Sequence, residues 1–334
     1  MSQKEAAPKS FSRENKLKVL DYNEEKKIFK VKHQDSSNIC SIVDTFAEMF
    51  GMWAGRILIT AKDEQWALTA ANTATGFASS IIMSPAEAGV EGLVSLNNSP
   101  DGRSGAIIQI YHRTRLDLKN QMILRIGQCV MTCPTTSAYD GLPRVKRRLK
   151  VGRSLRLFGD GFQKEDIIGN RRVWRIPVME GDFIVEDNFG AKRAIAGGNL
   201  IIMTGSPSVG LEASKLAVEA IHRKVRGVVM PFPGGVCRSG SKAGSLKYKL
   251  KASTNHPFCP KLRGLVSDSE VPNGVQSVYE IVINGLNLEV VKKAIAEGIE
   301  EASKVAGVTL ISAGNYGGKL GPYHAYLRDV LGFE

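Results

Sequence analysis

The sequence predicts an α+β protein built as two ferredoxin-like βαββαβ lobes in pseudo-repeat, joined by a β-rich insert. Three observations carry this. Apolar strand-like runs and Ala-rich helical stretches follow one another in the order β-α-β-β-α through the first half. The order returns complete, as β-α-β-β-α-β, after residue 197. Between the two, residues 155–196 carry short strand signals broken by Gly159-Asp160-Gly161, Gly169-Asn170 and Glu180-Gly181-Asp182.

Residues 1–37 form an N-terminal extension. Lys and Glu are mixed through Asn15 to Lys32, with few aliphatic positions (Leu17, Val19, Leu20, Ile28), so it reads as a tail or as an added strand pair. The first lobe, residues 38–154, opens with a strand at Arg56-Ile57-Leu58-Ile59-Thr60 and an Ala-rich helix from Asp63, its cap, to Ala74. Strands at Ser80-Ile81-Ile82-Met83 and at Gly105 to Ile110 follow, then a helix from Asp117 to Gln128. The second lobe, residues 197–334, reads as strand Asn199 to Met203, helix Ser208 to Arg223, strands Gly227 to Met230 and Val278 to Asn284, helix Leu288 to Ala302 and strand Val308 to Ser312.

At 334 residues and 43% hydrophobic composition the chain can bury a substantial core. No apolar run approaches the ~18 residues needed to span a bilayer, and the N-terminus has no apolar signal core, so a soluble cytoplasmic protein with no membrane partner is expected. Five cysteines spread along the chain argue against a disulfide framework and for free thiols. The formal charge of +12 favours anionic partners. Its densest run, Arg144, Lys146, Arg147, Arg148, Lys150, Arg153 and Arg156, is either a solvated connection or a binding patch.

The strand Val278 to Gly285 holds one carboxylate. Alternation puts Glu280 on a face with Val278, Val282 and Asn284, while Tyr279, Ile281 and Ile283 take the other. On an edge strand Glu280 would face water; buried, its pKa would rise toward the range where it exchanges protons near neutral pH. Glu280 is therefore the catalytic candidate, and Asn284 on the same face is a substrate-binding candidate. Three glycine-rich segments end strands in the last third and make candidate walls of a cleft: Pro231 to Gly235, Arg238 to Ser245, and Ser312 to Gly321. Pro233, Gly234, Gly235, Ser239, Asn315 and Gly318 are the substrate-binding candidates there. Lys242 and Lys319 either hold anionic substrate groups or are simply solvated.

Other chemistries lack their spacing. No glycine stands five positions before Gly318 and Leu320 replaces the Ser/Thr of a phosphate loop; no GxGxxG opens a helix after a strand, and no GxSxG, HExxH or CxxC occurs. Cys129 and Cys133 would share a helical face, as packing residues or as a metal or redox pair. No metal site is expected.

Taken together, Pro85-Ala86-Glu87-Ala88-Gly89, Ile126 to Thr132, Phe158 to Gly161, Pro231 to Gly235, Tyr279 to Gly285 and Ile311 to Gly321 resemble formylmethanofuran:tetrahydromethanopterin formyltransferases. The likeness runs from about Asp44 to the C-terminus. Gly317 to Pro322 and Pro231 to Ser241 are similar to bacterial members that work in a formyltransferase/hydrolase complex. The resemblance implies formyl transfer between the amine of methanofuran or methylofuran and N5 of tetrahydromethanopterin, with both coenzymes as substrates and no tightly held cofactor. It also implies a homotetramer with a site near a subunit interface, formylmethanofuran hydrolase subunits as partners, and a catalytic glutamate at Glu280. The N-terminal extension and the basic charge depart from the family pattern as known. Two other readings stand beside it: a non-catalytic assembly subunit of a C1-transfer complex, and a nucleic-acid-binding protein using the run near Arg147. Low aromatic content and the lack of any recognised RNA or DNA motif weigh against the last.

Overall fold

The computed structural model of the chain describes residues 16–238 and 255–333. Strands β1 (Leu17–Asn23), β2 (Ile28–His33) and β3 (Ile39–Val43) come first. The first half follows as β4 (Phe46–Thr60), α1 (Glu64–Thr75), β5 (Glu87–Val94), β6 (Gly105–His112), α2 (Arg115–Arg125) and β7 (Ser137–Asp140). The connecting region contains β8 (Arg148–Leu149), α3 (Val151–Leu155), β9 (Lys164–Ile168), β10 (Arg171–Val178), β11 (Gly181–Glu186) and β12 (Phe189–Gly190). The second half runs β13 (Lys192–Thr204), α4 (Pro207–Lys224), β14 (Val228–Val229), β15 (Ser277–Gly285), α5 (Leu288–Ser303), β16 (Val308–Ser312), β17 (Tyr323–Tyr326) and α6 (Leu327–Leu331).

In the first half β4 pairs antiparallel with β6 and β7, and β6 with β5. In the second, β13 pairs antiparallel with β15 and β16, and β15 with β14. Each half thus sets its first strand between its third and fourth. The halves are fused, because residues 192–196 of β13 lie against residues 50–54 of β4. At one end β11 joins β7 in parallel and brings β10 and β9; at the other β3 joins β16 and brings β2 and β1. Among the described residues the result is one mixed sheet of 15 strands, with β8 and β12 paired separately.

Helix α1 packs through Ala67, Ala70, Ala71 and Ala74, all without exposed surface, and Asp63 caps it by accepting Trp66 N–H at 3.0 Å. Helix α5 buries Val291, Ala294, Ile295 and Ile299, the spacing of one helical face, and is capped by Asn287. Helices α4 and α5 cover β13 and β15 on the side of Ile281 and Ile283.

The segment Ser80 to Met83 is a turn and not a strand, a correction to the sequence reading. Ser84 N–H and Oγ both bond to Ser80 O, at 2.8 and 2.6 Å, and Ile82 and Met83 point to solvent. The strand begins after Pro85, at Glu87. The predicted helix Asp117–Gln128 is α2 followed by a π-turn at Ile126–Val130, and Thr114 caps it.

Of the two readings of the extension, its residues from Leu17 form the strand pair. Leu17, Phe29 and Val31 are buried, and the Phe29 ring lies 4.5 Å from Tyr22 and 4.9 Å from Phe333 near the C-terminus. Tyr22 donates to Asp44 (3.0 Å), which pairs with Arg328 on α6 (2.6 Å). Phe29→Leu is expected to cost about 1.5 kcal/mol through the lost ring contacts, read as a lower melting temperature with catalytic rate unchanged.

Candidate active site

Glu280 sits in the middle of β15, opposite Ile201 of β13. Because Ile281 and Ile283 turn toward α4 and α5, Glu280 projects from the other face of the sheet, and it is 8% exposed. Asn199 stands opposite Val282, one diagonal step away, and its Nδ2 donates to Glu280 Oε1 at 2.7 Å. Asn255 Nδ2 donates to Oε2 at 2.6 Å. Both amides are oriented by third groups. Gly314 N–H donates to Asn199 Oδ1 (2.9 Å), and the Tyr316 hydroxyl donates to Asn255 Oδ1 (2.9 Å). Neither asparagine can turn its oxygen to Glu280 without orphaning one of those donors.

Burial raises the Glu280 pKa, and the two asparagine amides oppose the rise without cancelling it. Burial, with the charge of Glu280 next, also pushes the Tyr316 hydroxyl up. On protonation Glu280 gains a donor that the amide N–H groups around it cannot accept. That proton must go to a third partner.

Tyr316 is held at φ 41°, a left-handed conformation that costs a non-glycine residue about 1 kcal/mol. Its loop packs close to Asn199, since a Cβ on Gly314 would lie 2.8 Å from Asn199 Nδ2 and 3.0 Å from the Tyr316 hydroxyl. Tyr316→Phe is expected to lower turnover about five-fold with KM kept, the scale of one neutral hydrogen bond, as steady-state kinetics would record.

A cavity of about 430 Å³ opens beside this group, lined among others by His256, Asp268, Gly314, Asn315, Tyr316 and Lys319. His256 Nε2 lies 2.8 Å from Asp268 Oδ2. The loop Asn315–Gly321 is tied down from beneath by Glu48 of β4, which has no exposed surface. Glu48 Oε2 accepts Gly318 N–H at 3.0 Å, and Oε1 accepts Gly321 N–H at 2.8 Å and Leu320 N–H.

Of the sequence-predicted residues, Asn315 and Lys319 line the cavity, and Gly318 is anchored to Glu48 beside it. Asn315 also bonds Thr45 Oγ1 at 2.9 Å. Pro233, Gly234 and Gly235 form the short turn that leads into Cys237, whose backbone exchanges both hydrogen bonds with Glu280. Asn284 lies apart from the cavity: fully buried, it donates to Glu87 Oε2 at 2.6 Å and accepts from Gly197 N–H at 3.0 Å. Ser239 and Lys242 lie outside the described residues. Asn199, Asn255, Tyr316 and Glu48 were not foreseen. Asn199 carried a signal, a polar amide at the head of an apolar run.

The basic run is partly spent within the protein. Arg148 pairs with Asp140 (2.6 Å), Arg153 approaches Asp187 (3.6 Å), and Arg156 stacks on Trp174 (4.6 Å). Cys129 and Cys133 are free and half-buried against the first-half core. Among the described residues no group of three or more His, Cys, Asp and Glu is placed to share a metal ion, and no helix is long and apolar enough to cross a membrane.

Comparison with known proteins gives a consistent picture. Residues 36–178 match the formylmethanofuran-tetrahydromethanopterin formyltransferase family, and residues 181–330 match that family's proximal lobe. The chain is 51% identical to the formylmethanofuran–tetrahydromethanopterin formyltransferase of Methanocaldococcus jannaschii over 87% of this chain and 97% of that one. It is 52% identical to the Methanopyrus kandleri protein of the same description over 88% and 99%. Among solved structures, the Methanosarcina barkeri formyltransferase superposes with a TM-score of 0.83 at 48% identity, covering 86% of this chain and 97% of that one. A chain of the formyltransferase/hydrolase complex from Methylorubrum extorquens, determined with methylofuran, superposes with a TM-score of 0.82 at 39% identity, covering 87% and 97%.

Proposed function

The chain belongs to the formylmethanofuran–tetrahydromethanopterin formyltransferase family, and from that premise we propose that Glu280 is the acid/base group with which it moves a formyl group between formylmethanofuran or formylated methylofuran and N5 of tetrahydromethanopterin. The observation that carries the role is a carboxyl group with raised pKa, fixed by two oriented amides, one of them held by the Tyr316 hydroxyl from the wall of the neighbouring cavity. In the forward direction the N5 lone pair attacks the formyl carbon, and the C=O electrons move onto oxygen. The protonated carboxyl group donates to that oxygen or to the leaving nitrogen; the C–N bond to the furan coenzyme breaks, its nitrogen takes a proton, and N5 gives one up. Glu280 carries the proton between the two nitrogens. Acid/base work and positioning account for the step.

Pro233 to Gly235, Asn315, Gly318 and Lys319 are the proposed coenzyme contacts, with Ser239 and Lys242 proposed from sequence alone. The two halves, each setting its first strand between its third and fourth, support ferredoxin-like lobes, with residues 155–196 as the joining insert and 1–37 as an extension. A cytoplasmic homotetramer is the proposed assembly, and the likeness to a chain of the formyltransferase/hydrolase complex supports hydrolase subunits as partners. The deciding experiment incubates purified protein with formylmethanofuran and tetrahydromethanopterin and follows the N5-formyl product by ultraviolet absorption. A properly folded chain without product formation would remove the reading and leave an assembly role.

A pH signature follows. Forward transfer needs Glu280 protonated, so kcat is expected to fall as pH rises through the raised Glu280 pKa. The same shift makes the folded chain bind more protons than the unfolded one. Its stabilising contribution is complete below the ordinary carboxyl range and lost as pH climbs through the folded value. In Glu280→Gln the difference should vanish from the stability profile, which denaturation at stepped pH would show.

A further inference from the structure

We propose that the chain carries a second small-molecule site, for a polyanion bearing phosphate or carboxylate groups, in the cavity framed by Trp53, Arg113, Arg115, Lys119 and Arg193. This cavity has a volume of about 560 Å³, within the range of small-ligand pockets, and its remaining walls are Thr114, Leu116 and Leu149. It lies well away from Glu280. Arg193 stands six positions before Asn199 on β13, about 20 Å along an extended strand.

Four cations converge there and no acidic side chain lines the walls. Elsewhere in the first half and the connecting region arginines are spent internally: Arg56 on Glu91, Arg103 on Asp101, Arg148 on Asp140 and Arg171 on Glu186, at 2.6 to 2.7 Å. The side chains of Arg113, Arg115, Lys119 and Arg193 make no hydrogen bond or ion pair to any described residue. Two are nevertheless oriented, since the Arg193 and Arg115 guanidiniums lie 4.8 and 5.7 Å over the Trp53 ring. Asp117, the nearest carboxylate on α2, is turned to its own cap, accepting from Thr114 Oγ1 at 2.6 Å and lying 3.6 Å from His112. Behind the cavity, Arg113 acts electrostatically on buried Glu87.

Like charges gathered this way repel one another until an anion enters. Guanidinium forks match phosphate and carboxylate oxygens in pairs, which is a chemical preference for those groups over a simple halide. The apolar walls and the volume fit an organic body that carries several of them. Such groups occur on coenzymes and on free metabolites alike, so the site is defined by the anion it takes.

The test uses the full-length protein, with pyrophosphate and citrate as probes, titrated calorimetrically at fixed low ionic strength. Saturable one-site binding is expected, weakened at least ~10-fold in Arg115→Ala/Arg193→Ala, the scale of losing a charge-assisted hydrogen bond. Lys18→Ala/Lys30→Ala removes the same net charge from the N-terminal hairpin and should bind within about two-fold of wild type, a difference a general charge effect cannot produce. Arg113→Gln serves if the double variant misfolds. Absence of saturable binding, or equal weakening in both double variants, overturns the proposal. Inhibition kinetics then separate the sources. Probes competing with one coenzyme mark the anion as part of that coenzyme, and probes that bind without competing mark a separate metabolite. The calorimetric result holds whether or not formyl transfer is observed.

Discussion

Glu280→Gln is expected to lower turnover by at least ~100-fold in an otherwise folded enzyme, the usual scale for losing a general acid or base. Glutamine keeps the size of the side chain and one acceptor. It cannot hold or release a proton. Its NH₂ must face one of two amide donors whose orientations Gly314 and Tyr316 have fixed, a local penalty of about 1 to 3 kcal/mol. Removing the cost of a buried carboxyl offsets part of it. Folding measured by circular dichroism should therefore change little while the rate collapses. Near-normal turnover in a folded Glu280→Gln protein would take Glu280 out of the mechanism.

The second large effect is expected at a residue remote from the chemistry. Glu48→Ala removes a buried carboxylate that accepts three backbone N–H groups from the loop Asn315–Gly321, which also supplies Tyr316 and Lys319 to the cavity. Hydrogen bonds to a charged acceptor contribute about 1.5 to 3 kcal/mol each, and water can reach part of the freed loop, so a net loss of about 3 kcal/mol in stability is expected. Because the loop forms a wall of the cavity, KM should rise about ten-fold with a smaller change in kcat, which is the mark of a positioning residue. Glu48→Gln, keeping one acceptor, should recover part of both. If Glu48→Ala unfolds at the wild-type denaturant midpoint, the anchoring role is wrong.

Glu280 was legible in the sequence because a lone carboxylate in a strand is costly enough to stand out. Its partners were not. Asn199, Asn255 and Tyr316 reach it from three separate segments, and only the pairing of β13 with β15 and the return of the loop after β16 bring them together. Asn284 shares the alternation of Glu280 and so looked like a neighbour in function, yet it meets Glu87 instead of the cavity. Alternation assigns a face and says nothing of what covers it.

Most of the order of elements was readable, but two lengths, the place of β5 and the strand β7 were not. The strand beginning at Arg56 in the sequence reading starts at Phe46, and the one beginning at Asn199 starts at Lys192. Both exchange partners midway, so their burial pattern shifts along their length and hides the period. Ser80 to Met83 misled for the opposite reason. Its apolar run looks like a strand, while the Ser84 hydroxyl closes it into a turn, accepting from Ser80 N–H and donating to Ser80 O. Glu48 was missed with the front half of β4.

The ladder between residues 50–54 and 192–196 has a mechanical consequence. Rocking one half of the molecule against the other as a hinge would tear backbone hydrogen bonds from the centre of the sheet. A hinge there would carry the cost of several such bonds at once, so the ladder braces the two halves into one stiff platform.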